Sequence, residues 1–221
     1  MCGIAGIFVE THADAPSLEA LQHMIAMLRH RGPDGYGLYR DERMGLGHTR
    51  LSIIDLVGGA QPMANEDESM WVTLNGEIFN YLELRQELTD RGHRFQTRSD
   101  TEVIVHSFEE YGERAWSKFN GQFAFALWDR RRRRLWLVRD RLGILPLFYA
   151  RRPAAVLFAS EMKALFATGE LEPHFDPTGL AQVFTRWSAS PPATVFSGVC
   201  AVLPGTALLY EVPAAPSSLR R

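Results

Sequence analysis

Two apolar runs decide the architecture: Gln122-Phe123-Ala124-Phe125-Ala126-Leu127-Trp128 and Leu135-Trp136-Leu137-Val138, separated by Asp129 and the arginines 130–134. Both are nearly continuous in apolar residues, as expected of strands covered on both faces. A strand covered on both faces needs a second layer on each side, so these runs predict a layered sandwich. Arg130 to Arg134 read as a solvated hairpin connection between them. Outward from this pair, residues 3–9 (GIAGIFV) read as a further buried strand. Strand-like runs recur near 36–40, 45–49, 70–74, 146–150, 156–159 and 206–211. Helical spacing appears from Pro16 to Arg29, where Leu18, Leu21, Ile25 and Leu28 share a face, and Gly32-Pro33 stops it. Helices are also predicted at 81–91, 99–111, 161–167 and 178–185. Ser99-Asp100-Thr101-Glu102 has the capping-box pattern, with Ser99 as the cap and Asp100 free in the first turn. Many short strands with segregated helices make an α+β pattern.

Composition narrows the function classes. The chain has 221 residues, 46% hydrophobic and 23% charged, with a formal net charge of −2. That describes a globular protein and gives no reason to propose nucleic acid or an anionic membrane as partner. No apolar run approaches the roughly 20 residues of a membrane helix, and the start has no signal-peptide pattern. The two cysteines, Cys2 and Cys200, make neither a disulfide framework nor a zinc constellation, so no metal is expected. The expected compartment is the cytoplasm.

Cys2 is the sharpest chemical feature. It follows the initiator methionine, and removal of Met1 would give it a free α-amino group. Thiolate chemistry needs a nearby base, and an α-amine titrates near pH 8, so one residue can hold nucleophile and base together. Taken alone, Cys2 reads equally as a small buried thiol on the first strand. Asn75-Gly76 alone reads as a hairpin turn. Arg50 alone reads as a surface ion pair, and Cys200 as an inert thiol.

In combination the motifs are specific. They are Cys2–Gly6 (CGIAG), His30–Gly35 (HRGPDG), Gly47–Asp55 (GHTRLSIID), Gly59–Met63 (GAQPM), Asn75–Tyr81 (NGEIFNY), Ser99–Glu102 (SDTE), Asn120–Ala126 (NGQFAFA), Arg139–Ile144 (RDRLGI) and Ser160–Leu165 (SEMKAL). With these, residues 2–210 resemble the class II, N-terminal cysteine glutamine amidotransferases, in particular the glutaminase domain of the asparagine synthetase branch. The Arg-Gly-Pro-Asp and Asn-Gly-Glu segments set the chain closer to that branch than to the glucosamine-phosphate synthase and phosphoribosyl-amine branches. The resemblance implies the four-layer αββα sandwich of N-terminal nucleophile hydrolases, with two mainly antiparallel sheets between helix layers. It also implies conversion of L-glutamine to L-glutamate and ammonia through a Cys2 thioester.

The residue chemistry agrees with that reaction. Amide attack creates an oxyanion, which Asn75 and the Gly76 N–H can stabilise. Arg50 can clamp the glutamine carboxylate, and Glu77 and Asp100 can accept from its ammonium. By resemblance the backbone of Arg50, Leu51, Ser52, Ile53 and Ile54 also lines the substrate site. Gly32-Pro33-Asp34-Gly35 reads as a shaped turn beside it. The expected partner is a synthetase domain, in cis or in trans, that receives the ammonia. ATP and magnesium are expected only for that domain, whose Ser-Gly-Gly-x-Asp-Ser type signature is absent here. Residues 211–221 are expected to be a tail or a truncated link to it, and the uncovered face near 191–205 could drive a homodimer. A non-catalytic, glutamine-sensing module is the alternative.

Overall fold

Side chains alternate strictly along the strand Gly121–Asp129. Phe123, Phe125 and Leu127 enter one apolar cluster, while Ala124, Ala126 and Trp128 enter another. The next strand, Arg134–Arg139, repeats this, with Trp136 and Val138 on one side and Leu135 and Leu137 on the other. Period-two burial on both faces is what a central sheet layer requires. The computed structural model describes residues 1–10 and 15–212.

In chain order the strands are β1 (Gly3–Val9), β2 (Gly35–Arg40), β3 (Met44–Arg50), β4 (Met63–Ala64), β5 (Met70–Ile78), β6 (Gly121–Asp129), β7 (Arg134–Arg139), β8 (Phe148–Arg151), β9 (Ala155–Ala159), β10 (Val199–Ala201) and β11 (Ala207–Glu211). The helices are α1 (Leu18–Ala26), α2 (Tyr81–Asp90), α3 (Glu102–Tyr111), α4 (Ala115–Lys118), α5 (Met162–Phe166) and α6 (Pro177–Arg186). One sheet has the order β10-β8-β9-β1-β3-β2 and the other β11-β7-β6-β5-β4. Every ladder between these strands is antiparallel.

Three apolar clusters lie between four layers. Ile4 and Phe8 of β1 meet Ala124, Ala126 and Trp128 between the sheets. The small alanines leave room for the Phe8–Trp128 pair, whose rings lie 5.5 Å apart. Ala5, Ile7 and Val9 point the other way, against Leu21, Met24 and Ile25 of α1 and Leu165 of α5. On the far side Phe123, Phe125 and Trp136 pack under Val103, Ile104 and Phe108 of α3. The predicted αββα sandwich is therefore observed. Truncating one of these buried rings to alanine would cost about 3–5 kcal/mol.

Several local expectations are corrected. Asn75-Gly76 is no hairpin turn: it lies inside β5, where Asn75 pairs with Ala124 and Gly76 with Phe123. The helix predicted from Ser99 begins at Glu102, and Ser99 Oγ accepts from the Thr101 N–H at 3.2 Å ahead of the first turn. Asp100 is not free: its Oδ2 accepts from the Ile78 N–H at 3.0 Å, which ties residues 99–101 to β5 and holds them out of the helix. The proline-rich stretch after 190 carries an unexpected strand, β10, paired to β8. Of the expected tail, Glu211 ends β11, and residues 213–221 lie outside the described residues.

Candidate active site

Cys2 immediately precedes β1, and three contacts fix where that strand starts. The Arg31 Nε donates to the Cys2 carbonyl at 2.8 Å, and Arg31 Nη1 reaches Glu161 Oε1 at 2.9 Å. His30 joins the same carboxylate at 3.0 Å. Burial opposes ionisation of Glu161, but Arg31, Lys163 and His30 outweigh it and hold its pKa at about 2. Ile4 and Ser160 close a reciprocal pair, with the Ile4 N–H on Ser160 Oγ at 3.0 Å and the Ser160 N–H on the Ile4 carbonyl at 2.9 Å. Gly3 has no room for a side chain, since a Cβ would lie 2.6 Å from Thr49 Oγ1.

The Cys2 thiol is half-buried, and its Sγ accepts from the Leu51 N–H at 3.4 Å. Burial pushes its pKa above the ordinary thiol value, against the lowering effect of the Leu51 N–H and of Arg50. A thiol raised in this way is not a standing thiolate, so attack requires a base that takes the proton at the moment of reaction.

Cys2 opens into a cavity of about 110 Å³. Of the residues expected from sequence, Cys2, Arg50, Leu51, Ile53, Ile54, Asn75, Gly76, Glu77 and Asp100 all line it. Ser52 does not: its N–H donates to Asp34 Oδ2 at 2.7 Å, so it anchors the loop from outside. The Gly32–Gly35 turn thus has a positioning role, with Asp34 also donating its N–H to the Arg50 carbonyl at 3.0 Å.

Asn75 is fully buried, yet both its Oδ1 and Nδ2 are without a hydrogen-bond partner. Buried amides are almost always satisfied, and an unsatisfied one costs about 1–3 kcal/mol, so a ligand-facing amide is the natural explanation. The strand is set by His48 across the sheets, whose Nε2 donates to the Leu74 carbonyl at 3.2 Å. Burial pushes the His48 pKa down to about 4, so it stands there as a neutral imidazole. Gly76 has φ +139°, and a Cβ there would sit 2.1 Å from the Gln122 carbonyl oxygen. Its glycine is therefore required by the backbone of β6.

Arg50 reaches the cavity wall with part of its fork already engaged. Nη2 donates to the Asp55 carbonyl at 2.6 Å and Nη1 to the Leu56 carbonyl at 3.2 Å. It shapes loop 51–59 as well as facing the cavity. Asp55 secures the same loop from its own end, accepting from the N–H groups of Gly58 and Arg98. Asp100 is buried, and burial followed by the neighbouring Glu77 charge raises its pKa, against the Ile78 N–H. An incoming ammonium would supply the cation that this carboxylate lacks.

Sequence reasoning assigned no role to Gln61, Thr101, Gln122 or Leu145, which also line the cavity. Gln61 accepts from the Leu74 N–H at 2.6 Å and donates to Thr101 Oγ1 at 3.0 Å, bridging β5 to the start of α3. Its position inside the Gly59–Met63 motif was the one available signal. The cavity residues form no metal-type cluster among the described residues.

Comparison with known proteins follows the geometry. The chain matches the family described as glutamine amidotransferase domain over residues 1–218. It is 42% identical to the glutamine-hydrolysing asparagine synthetase 1 of Bacillus subtilis (strain 168), over 93% of this chain and 33% of that protein. It is 38% identical to asparagine synthetase 3 of the same organism, over 96% of this chain and 35% of that protein. The chain thus spans about a third of these relatives. Among solved structures, the glutamine phosphoribosylpyrophosphate amidotransferase of B. subtilis superposes with a TM-score of 0.63 at 22% identity, covering 80% of this chain and 46% of that one. That likeness concerns the fold. With Cys2, Asn75 and Asp100 around one cavity in that fold, the chain belongs to the glutamine amidotransferase domain family.

Proposed function

We propose that this chain hydrolyses L-glutamine to L-glutamate and ammonia at Cys2. The observation that carries the reading is the buried, unpartnered Asn75 amide lining the same cavity as the Cys2 thiol. Once Met1 is removed, the Cys2 α-amine takes the thiol proton as sulfur attacks the side-chain amide carbon. The oxyanion that forms is stabilised by Asn75 Nδ2 and the Gly76 N–H. Collapse breaks the C–N bond, the α-ammonium returns its proton to the leaving nitrogen, and ammonia departs. Water then attacks the Cys2 thioester and frees glutamate. Arg50 holds the substrate carboxylate, and Glu77 and Asp100 hold its ammonium.

The ammonia serves a synthetase domain, in cis or in trans, that carries out an ATP-dependent amidation. The names of the curated relatives favour asparagine formation. ATP and magnesium belong to that partner. Exposed apolar side chains available for docking that domain include Phe184 and Trp187, 82% and 93% exposed. They flank the 191–205 stretch expected to be uncovered, and a homodimer is the competing occupant. The proposed compartment is the cytoplasm, where a catalytic thiol stays reduced. No helix among the described residues is long and apolar enough to cross a membrane. The non-catalytic alternative finds no support in a cavity that keeps Cys2, Arg50, Asn75, Gly76, Glu77 and Asp100. The test is glutamate and ammonia release from glutamine by the purified chain without ATP. Binding of glutamine without turnover, from a sample lacking Met1, would overturn the reading.

A further inference from the structure

On the helix face of the second sheet, away from the Cys2 cavity, two histidines and several carboxylates converge. His106 lies on α3, fully buried, and its Nδ1 is 3.0 Å from Glu109 Oε2. His93, in the turn after α2, places its Nδ1 3.7 Å from the same oxygen. The donor atoms of His93, His106 and Glu109 all lie within 4.8 Å of one another. Glu66, from the β4–β5 turn, brings Oε2 to 3.9 Å from His106 Nδ1.

We propose that His93, His106 and Glu109 supply three ligands of a binding site for a divalent zinc-like cation, with Glu66 adding negative charge beside it. A tetrahedral ion with bonds of 2.0–2.1 Å needs donors roughly 3.3 Å apart, and the 3.0 and 3.7 Å from His106 and His93 to Glu109 Oε2 bracket that value. Two imidazoles with carboxylates suit zinc and disfavour magnesium, which wants an all-oxygen octahedron.

The surrounding groups give independent support. A metal-bound histidine normally presents its other nitrogen to a carboxylate, which fixes the ring. Here His106 Nε2 is buried without a hydrogen-bond partner and faces Glu102 Oε1 at 3.6 Å. His93 Nε2 faces Glu110 Oε2 at 3.4 Å. Glu102 is itself held by the N–H groups of Gln96 and Thr97, at 2.7 and 2.8 Å. Asn65 Nδ2 occupies Glu109 Oε1 at 2.7 Å, which leaves Oε2 for the cation. Phe95 covers the His106 ring edge-on at 4.5 Å and makes an apolar lid. Glu102, His106 and Glu109 share one face of α3 by their i, i+4 and i+3 spacing.

The competing occupant is a proton. It would sit between His106 Nδ1 and Glu109 Oε2, which lie 3.0 Å apart. A cation would take the place of that proton. The ion would also clamp the turn after α2 onto α3, whose preceding residues Asp100 and Thr101 line the Cys2 cavity.

The test uses zinc ion alone, titrated against a chromophoric chelator into the full chain carrying Cys2→Ala, so that the cavity thiol cannot compete. One equivalent should bind, on the order of micromolar or tighter, and Tm should rise by several degrees. His93→Ala, at a largely buried but peripheral position, should weaken binding at least tenfold and abolish the Tm rise. Glu109→Gln should do the same, and magnesium should not displace the ion. Sub-stoichiometric binding, or equal affinity in the parent and both variants, would overturn the proposal and leave the proton as sole occupant.

Discussion

The two walls of the Cys2 cavity are built differently. One is made from sheet: Cys2 stands at the end of β1, whose seven residues are all buried, and Asn75 and Gly76 lie within β5. The other is loop 51–59, where Ile53, Leu56 and Val57 are 62%, 68% and 94% exposed. The loop keeps its shape through polar tethers: Arg50 on the carbonyls of Asp55 and Leu56, Asp34 on the Ser52 N–H, and Asp55 on Arg98 and Gly58. On the proposed reading the bond-making groups inherit the rigidity of a packed core, Glu77 and Asp100 share it, and Arg50, at the end of β3, braces a surface segment held by local hydrogen bonds. Changes on the sheet wall should act on kcat and changes on the loop wall on KM.

The largest effect is expected at Cys2. Cys2→Ala should abolish glutamate release while leaving Tm near that of the parent, since the thiol makes only two long contacts, both with the Leu51 backbone. A glutamine-mimicking electrophile should label the parent at one site, Cys2; labelling of Cys200 would remove the nucleophile assignment. Asn75→Ala comes next, with a fall in kcat of about 10²- to 10³-fold and a far smaller change in KM, because the amide oxygen gains its charge only during attack. Equal losses in binding and turnover would blur the distinction between the walls.

How far this division could be read from sequence depends on how local each signal is. The sandwich was legible because β1, β6 and β7 are buried on both faces, and Phe123, Phe125 and Leu127 declare the alternation within a few residues. The β10 strand was not legible, because its pairing with Tyr149 and Ala150 lies beneath a proline-dense stretch. The Asn75-Gly76 pair has strong turn propensity, but the need for glycine comes from the Gln122 carbonyl on the neighbouring strand. Ser99 looked like a cap until the Ile78 N–H took Asp100. The candidate residues were legible through family motifs, while their anchoring was not. Arg31 and Glu161, 130 positions apart, meet only in the folded chain.

His48 ties β3 to β5 and offers a test of the sheet wall by pH. Its folded pKa of about 4 lies below its ordinary value of 6.5, so the folded state favours the neutral ring. The stability this confers is present above pH 6.5 and is lost as pH falls toward 4, by about 3 kcal/mol. Chemical denaturation at pH 7 and pH 4 should show that loss in the parent and a clearly smaller one in His48→Gln. Equal slopes would mean that this link between the sheets is not set by a neutral imidazole.

On the loop wall, Arg50→Ala should cost about 2 kcal/mol, roughly 30-fold in kcat/KM and mainly through KM. A dominant kcat effect would place Arg50 with the sheet wall. The smallest expected difference is dynamic. Amides of residues 51–59 should exchange faster than those of 72–77, and a glutamine analogue should slow the loop selectively. Equal protection in both segments would erase the contrast.

The central claim is that Cys2 supplies both the nucleophile and its base, and it is tested most directly by measuring intact mass and turnover on the same preparations. A sample lacking Met1 should release glutamate from glutamine, and a sample retaining Met1 should not, because its α-amine then stands one residue away from the thiol. Full turnover by the Met1-retaining protein would contradict the account.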